Sequence, residues 1–143
     1  MVTFELGRVD EVMSSCKEMF EEHASSAGIN NLSVNEGVYT SLERAGVLDL
    51  FVAMDGDNIV GYMPVVRSPH HRQGNLALSV DCIFLMKKYR GSNIAYRFIK
   101  FAVNHYQNLS NAILSFPIQE THRRLLERLG FEEEAIMFRK FIK

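Results

Sequence analysis

Ile83-Phe84-Leu85-Met86-Lys87-Lys88-Tyr89-Arg90-Gly91-Ser92-Asn93-Ile94-Ala95 is the segment whose residue types and spacing carry chemistry. An apolar strand runs through a short basic turn into a helix. The first amides of a helix have no intrahelical acceptor, and they lie at the positive end of its dipole. A turn of this kind is a ready anion site. Gly91 admits a ligand close to the backbone, Ser92 and Ala95 are small, and Lys87, Lys88 and Arg90 add positive charge. A diphosphate suits such a turn. The pattern is neither the G-x-x-x-x-G-K-[ST] phosphate loop nor the G-x-G-x-x-G dinucleotide fingerprint.

Other residues around this segment invite a chemical reading. Asp81 interrupts the apolar strand, and a buried carboxylate needs a partner or a task. Strict alternation would place it on one face with Ser79, Ile83 and Leu85 and turn Cys82 away, as a buried and inert thiol. Asp81 therefore has either a chemical task or an ion-pair partner in an Arg or His of the loop. His122 lies one helical turn before Leu125 and Leu126, facing the core or a groove. His70 and His71, adjacent in an extended loop, would point oppositely, and no ligand cluster accompanies them, so no metal site is expected. Arg123, Arg124 and Arg128 give one helix a basic side, as a solvated face or as a contact for an anionic partner.

These residues need elements to place them. Val2 to Leu6 reads as a strand. Asp10 can cap a helix carrying Val12, Met13, Cys16, Met19, Phe20 and His23, with Gly28 as its stop. Ser33 and Glu36 form an S-x-x-E capping box ahead of Val34, Val38, Leu42 and Ala45, and Gly46 ends that helix. Val47 to Met54 and Ile59 to Val66 form a hairpin about Asp55-Gly56-Asp57. Ser68 to Gly74 is a polar loop, and Leu76 to Met86 is one long strand covered on both faces. Ser92 to Tyr106 is a helix, and Ala112 to Phe116 a buried strand. Glu120 to Leu129 is a helix stopped by Gly130, and Phe131 to Ile142 supplies one or two closing strands. The order β-α-α-β-β-β-α-β-α-β(β) predicts an α/β fold, a mixed sheet between two helical layers.

The whole chain, 143 residues long, is of single-domain size. Hydrophobic residues at 47% and charged residues at 23% are globular values. Lys plus Arg number 16 against 17 Asp plus Glu, a net charge of −1 that disfavours phosphate-neutralising nucleic-acid binding. Cys16 and Cys82 are too far apart in sequence for a C-x-x-C pair. No apolar run approaches a membrane span, and no signal-peptide pattern opens the chain. A reducing cytoplasm is the expected compartment.

The turn and the element order together resemble the GCN5-related N-acetyltransferases, the GNAT superfamily. Their signature, [QR]-x-x-G-x-[GA], falls at this strand-to-helix turn, where the chain reads Arg90-Gly91-Ser92-Asn93-Ile94-Ala95 after Tyr89. Asn93 stands where the signature has Gly. Leu129-Gly130-Phe131 matches the end of the family's last helix, with Gln119 at its Asn position and Leu126 at its usual Tyr position. A looser similarity, through the Pro69-His70-His71 loop and His122, is to small acetyltransferase-like proteins of tailed phages, for which the compartment would be the host cytoplasm. The resemblance implies a GNAT-like three-layer fold over residues 1–143 and acetyl-CoA-dependent acyl transfer to a small-molecule or protein amine. The backbone of Ile83, Phe84 and Leu85 would align the pantetheine. Amides from Arg90, Gly91, Ser92, Asn93, Ile94 and Ala95 would hold the diphosphate, and Gln119 would bond the pantetheine arm. Asp81 would act as base and His122 as acid, with Ser115 as a second donor. A homodimer is compatible with this reading and a membrane role is not. The rival is a catalytically weakened protein that keeps the fold for binding, in a virion or on a host partner.

Overall fold

The computed structural model describes the chain except for residues 16–17, 20, 23–35, 70–73, 92, 118–122, 135–137, 139, 141 and 143. A two-residue turn at Gly56-Asp57 joins its two longest strands, β2 (Leu48–Asp55) and β3 (Asn58–Pro69). Gly56 takes φ of 62°, the left-handed region in which a side chain is strained. β1 (Val2–Gly7) pairs antiparallel with β2. β4 (Leu76–Val80) pairs antiparallel with β3 and parallel with β6 (Ala112–Ser115). The sheet order is β1-β2-β3-β4-β6, and the short β5 (Phe84–Leu85) pairs with β3 alone.

Two apolar layers cover the sheet, as the amphipathic helix patterns require. On one face Phe51, Met63, Leu78, Val80 and Leu85 pack against α3 (Ile94–Tyr106), through Phe98, Ile99 and Ala102, and against Leu126 of α4 (Arg123–Arg128). On the other face Leu50, Val52, Tyr62 and Phe84 meet Val9 and Val12 of α1 (Val9–Ser15), Met19, and Tyr39 and Leu42 of α2 (Glu36–Arg44). The mixed three-layer α/β/α architecture is the one expected.

Of the three helix-stop glycines, the two among the described residues behave as read. Gly46 and Gly130 have φ of 74° and 86°. Beyond them Val47 N–H donates to Leu42 O and Phe131 N–H to Leu126 O, closing Schellman motifs over the last free carbonyls.

Several elements differ from the sequence reading. Asp10 lies inside α1 and pairs with Arg8, at 2.6 Å; the carbonyl of Arg8 accepts the first helical bond, from Val12 N–H. Glu43 of α2 satisfies the amide of Val9 instead, at 2.9 Å. The long strand from Leu76 to Met86 is broken into β4 and β5. β3 extends to Pro69, which shortens the polar loop. β6 is half-buried rather than buried. α3 begins at Ile94 behind an Asn93 N-cap, and α4 begins at Arg123. Among the described residues of 131–142 none is in a strand, and Phe138 and Ile142 stand 93% and 86% exposed. Cys16, Phe20, His23, Gly28, Ser33, Val34, His70 and His71 lie outside the described residues.

Candidate active site

The break between β4 and β5 sets the geometry of the site. Val80 stands opposite Val65 and Phe84 opposite Tyr62, so four steps on one strand match three on the other. The extra residue is a β-bulge, which reverses the inward–outward phase. Leu78 and Val80 face the α3 layer, and so do Ile83 and Leu85, whereas Cys82 and Phe84 face the α1–α2 layer. Asp81 lies on the α1–α2 side as well, bonded to Tyr39 of α2. Two expectations are thereby corrected. Asp81 does not share a face with Ile83 and Leu85, and Cys82 does not turn away from it.

The Tyr39 hydroxyl donates a hydrogen bond to Asp81 Oδ2 across 42 residues of sequence. Burial, and then the Asp81 carboxylate, push the Tyr39 phenol above its ordinary range. Burial followed by the Asp81 charge pushes the Cys82 thiol up to about 12. A thiol so held is neutral and a poor nucleophile. The exposed Asp81 carboxylate, held in place by a phenol, is the group here that can take a proton.

β4 and β6 remain paired as far as Ser79 and Ser115. Past that point β5 continues beside β3, and no described strand lies along its other edge. Met86 N–H donates to Val60 O at 2.9 Å. The alternation of an antiparallel ladder then turns the peptide groups of Phe84 toward β3 and those of Leu85 away from it. Of the three strand residues expected to align a linear ligand, Leu85 therefore presents its backbone to the open edge and Phe84 does not. Arg90 reaches this edge too. Its Nε donates to Leu85 O at 2.7 Å, and its guanidinium covers the Phe84 ring at 5.1 Å.

A single 3-10 turn, Lys87–Tyr89, carries the chain from β5 to Gly91, whose φ is 81° with open space around it. Asn93 caps α3 with its carbonyl, which accepts from Arg97 N–H at 3.1 Å. Its side chain makes no cap bond, and α3 has no acidic residue in its first turn. Among the described residues nothing answers the amides of Ile94, Ala95 and Tyr96. With Gly91 they lie at the positive end of the α3 dipole, the kind of helix start at which a diphosphate could be held. Ser92, Gln119 and His122 lie outside the described residues.

Leu126 is buried at 5% exposure in the apolar layer beneath α3 and offers no proton. Ser115 is exposed at the end of β6. On α4, Arg123 pairs with Glu133, and Arg128 lies over the Tyr96 ring at 4.8 Å. Sequence reasoning did not identify Tyr39 or Glu22, whose Oε1 accepts from Lys87 N–H at 2.9 Å and whose Oε2 is buried with no partner among the described residues. Nothing local in sequence marks either residue.

Among the described residues no helix is long and apolar enough to cross a membrane. No curated protein matches the chain in sequence. Solved structures share its fold over nearly the whole length. A ribosomal-protein-alanine N-acetyltransferase from Brucella melitensis biovar Abortus 2308 is 20% identical with a TM-score of 0.69, covering 99% of each chain. A predicted acetyltransferase from Clostridium acetobutylicum, solved with acetyl-CoA, is 11% identical with a TM-score of 0.76, over 99% of this chain and 96% of that one. The glucosamine-6-phosphate N-acetyltransferase of Arabidopsis thaliana is also 11% identical with a TM-score of 0.76, over 100% and 99%. In sequence, the family described as Acetyltransferase (GNAT) domain matches residues 13–139. The chain belongs to the GNAT acetyltransferase family.

Proposed function

We propose that the protein is an acetyl-CoA-dependent N-acyltransferase that acetylates a small-molecule or protein amine. The observation that carries this reading is the start of α3. Its first amides, unanswered among the described residues, follow a left-handed Gly91, with no acid in the first turn, at the end of an open strand edge. Acetyl-CoA would supply an activated acyl thioester. The amides of Gly91, Asn93, Ile94 and Ala95 would bind its diphosphate, with Ser92 continuing the cradle, and the Leu85 edge would orient the arm, with Gln119 bonding it from the other side. Asp81 would take the proton from the amine as its nitrogen attacks the thioester carbonyl, and the thiol would leave. Orientation and proton removal are most of what the reaction needs. In this scheme His122 would return a proton to the departing thiolate. The alanine and glucosamine 6-phosphate named for the structural neighbours are both amine-bearing, which supports an amine acceptor for this chain.

Calorimetry with coenzyme A on the wild type and on Gly91→Glu tests the cradle. The wild type should bind, and the variant, with a carboxylate on a strained left-handed residue, should not. Equal affinities would sink the placement.

Leu126 favours a second reading, a GNAT-fold protein kept for binding a virion or host component with turnover weakened. Acetyl-CoA raises the melting temperature of any folded protein that binds it. No rise with acetyl-CoA would favour the binding protein over the enzyme.

A further inference from the structure

We infer that Tyr89 is a positioning residue for the anion cradle, its hydroxyl tethering the 3-10 turn to Asp55 of the β2–β3 hairpin so that the first amides of α3 converge before a ligand arrives. The ligand in question, a diphosphate, rests on the function proposed above; the tether does not.

The turn has little to hold it locally. Its own bonds are Tyr89 N–H to Met86 O and Arg90 N–H to Lys87 O, and its N-cap Met86 supplies no side-chain bond. Such a short segment loses its shape cheaply unless other elements fix it. Three contacts do so. Glu22 accepts from Lys87 N–H, and the Arg90 guanidinium returns to Leu85 O. Tyr89 Oη donates to Asp55 Oδ2 at 2.6 Å. The first two hold the two ends of the turn, and the third holds its last residue, two positions before Gly91.

Asp55 is a firm anchor. It closes the hairpin opposite Asn58 at the end of β2. The Tyr89 hydrogen bond holds its carboxyl below the ordinary range, and the Asp55 bond raises the Tyr89 phenol. The pair is therefore charge-assisted, the stronger kind of hydrogen bond. The ring of Tyr89 packs independently against the apolar layer. Removing the hydroxyl alone should thus loosen the turn without dismantling the fold. Preorganised donors bind more tightly because less order is lost on binding.

Tyr89→Phe, Asp55→Ala, Asp55→Asn and the Tyr89→Phe/Asp55→Ala pair test the tether by two readouts. The first is hydrogen exchange, without ligand, of the bonded amides of the turn and the helix start, those of Tyr89, Arg90 and Arg97. The second is coenzyme A affinity by calorimetry at 25 °C. Tyr89→Phe and Asp55→Ala should each speed exchange and weaken coenzyme A by roughly tenfold, the scale of one lost hydrogen bond to a charged group. The double variant should lose no more than either alone, and Asp55→Asn, which keeps an acceptor oxygen, should recover part of the loss. Unchanged exchange in Tyr89→Phe overturns the tether. Faster exchange with unchanged affinity in a wild type that binds also overturns it, because the turn would then not govern the cradle. A wild type that does not bind coenzyme A removes the proposed function, and the exchange measurement still decides whether Tyr89 holds the turn.

Discussion

Asp81, Tyr39 and Asn93 are the residues at which chemistry and structure meet most directly. Asp81→Asn keeps an oxygen for the Tyr39 hydroxyl, so folding should survive while proton removal does not. In the proposed reaction, turnover of acetyl-CoA with an amine acceptor should fall roughly 10²–10⁴-fold. Acetyl-CoA affinity should change far less. Loss of folding in place of activity would make Asp81 a structural partner of Tyr39. Tyr39→Phe leaves the carboxylate in place but no longer aimed, and should cost less in turnover than Asp81→Asn. Asn93 presents the opposite case. It is exposed, at the ordinary φ of −69°, and its side chain caps nothing. Glycine at an N-cap costs only a few tenths of a kcal/mol. Asn93→Gly should therefore tighten coenzyme A binding, on the order of 1 kcal/mol, the usual scale of a relieved local clash. A weaker Kd would mean that the amide side chain itself contacts the ligand.

β5 is the element on which the open edge depends, and Gly61 of β3 is what lets it lie close. A methyl group on Gly61 would meet both Phe84 O and Leu85 Cδ2 at 2.6 Å. The backbone oxygen cannot move aside without moving β5. Gly61→Ala should destabilise the fold by about 1–3 kcal/mol, read as a lower denaturation midpoint at constant m. It should also weaken coenzyme A binding, since the displaced strand carries the edge; an unchanged Kd would show that β5 does not touch the ligand. This region also shows what a sequence conveys and what it conceals. The helix start after Gly91, the hairpin glycine and the stops at Gly46 and Gly130 were legible because each rests on local backbone chemistry. The two strands of the β2–β3 hairpin followed from the turn between them. The bulge did not, because Asp81-Cys82-Ile83 can satisfy either phase, and only the pairing with β3 selects one. The Tyr39–Asp81 contact joins residues 42 apart through the packing of α2 on the sheet. No local period encodes such a contact.

For the molecule as a whole, the buried phenol and thiol imply a ceiling on the alkaline side. Tyr106 Oη donates to Asp49 Oδ2 at 2.6 Å, beside the 2.7 Å bond from Arg67 Nε, and the cluster ties the end of α3 to β2 and β3. Burial, then the Asp49 hydrogen bond, raise the Tyr106 phenol above its ordinary range, as burial raises the Cys82 thiol to about 12. A group whose folded pKa is raised contributes stability that is fully present below its unfolded value and lost as pH rises through the folded one. For Cys82 that window runs from 9.0 to about 12, and for Tyr106 it opens at 10.0. Each group adds a slope of at most about 1.4 kcal/mol per pH unit. Urea unfolding should therefore show stability falling from about pH 9 and more steeply above 10. Cys82→Ala should flatten the first part of the fall. Tyr106→Phe should be less stable at pH 7, having lost the Asp49 bond, yet flatter above pH 10. Curves parallel to wild type in both variants would place the titrating groups elsewhere. An amine acceptor reacts as the neutral base, and a lysine-like amine reaches that form only near pH 10.4. In the proposed reaction turnover should thus rise with pH toward the value at which the acceptor is neutral, while the stability of the fold falls over the same range.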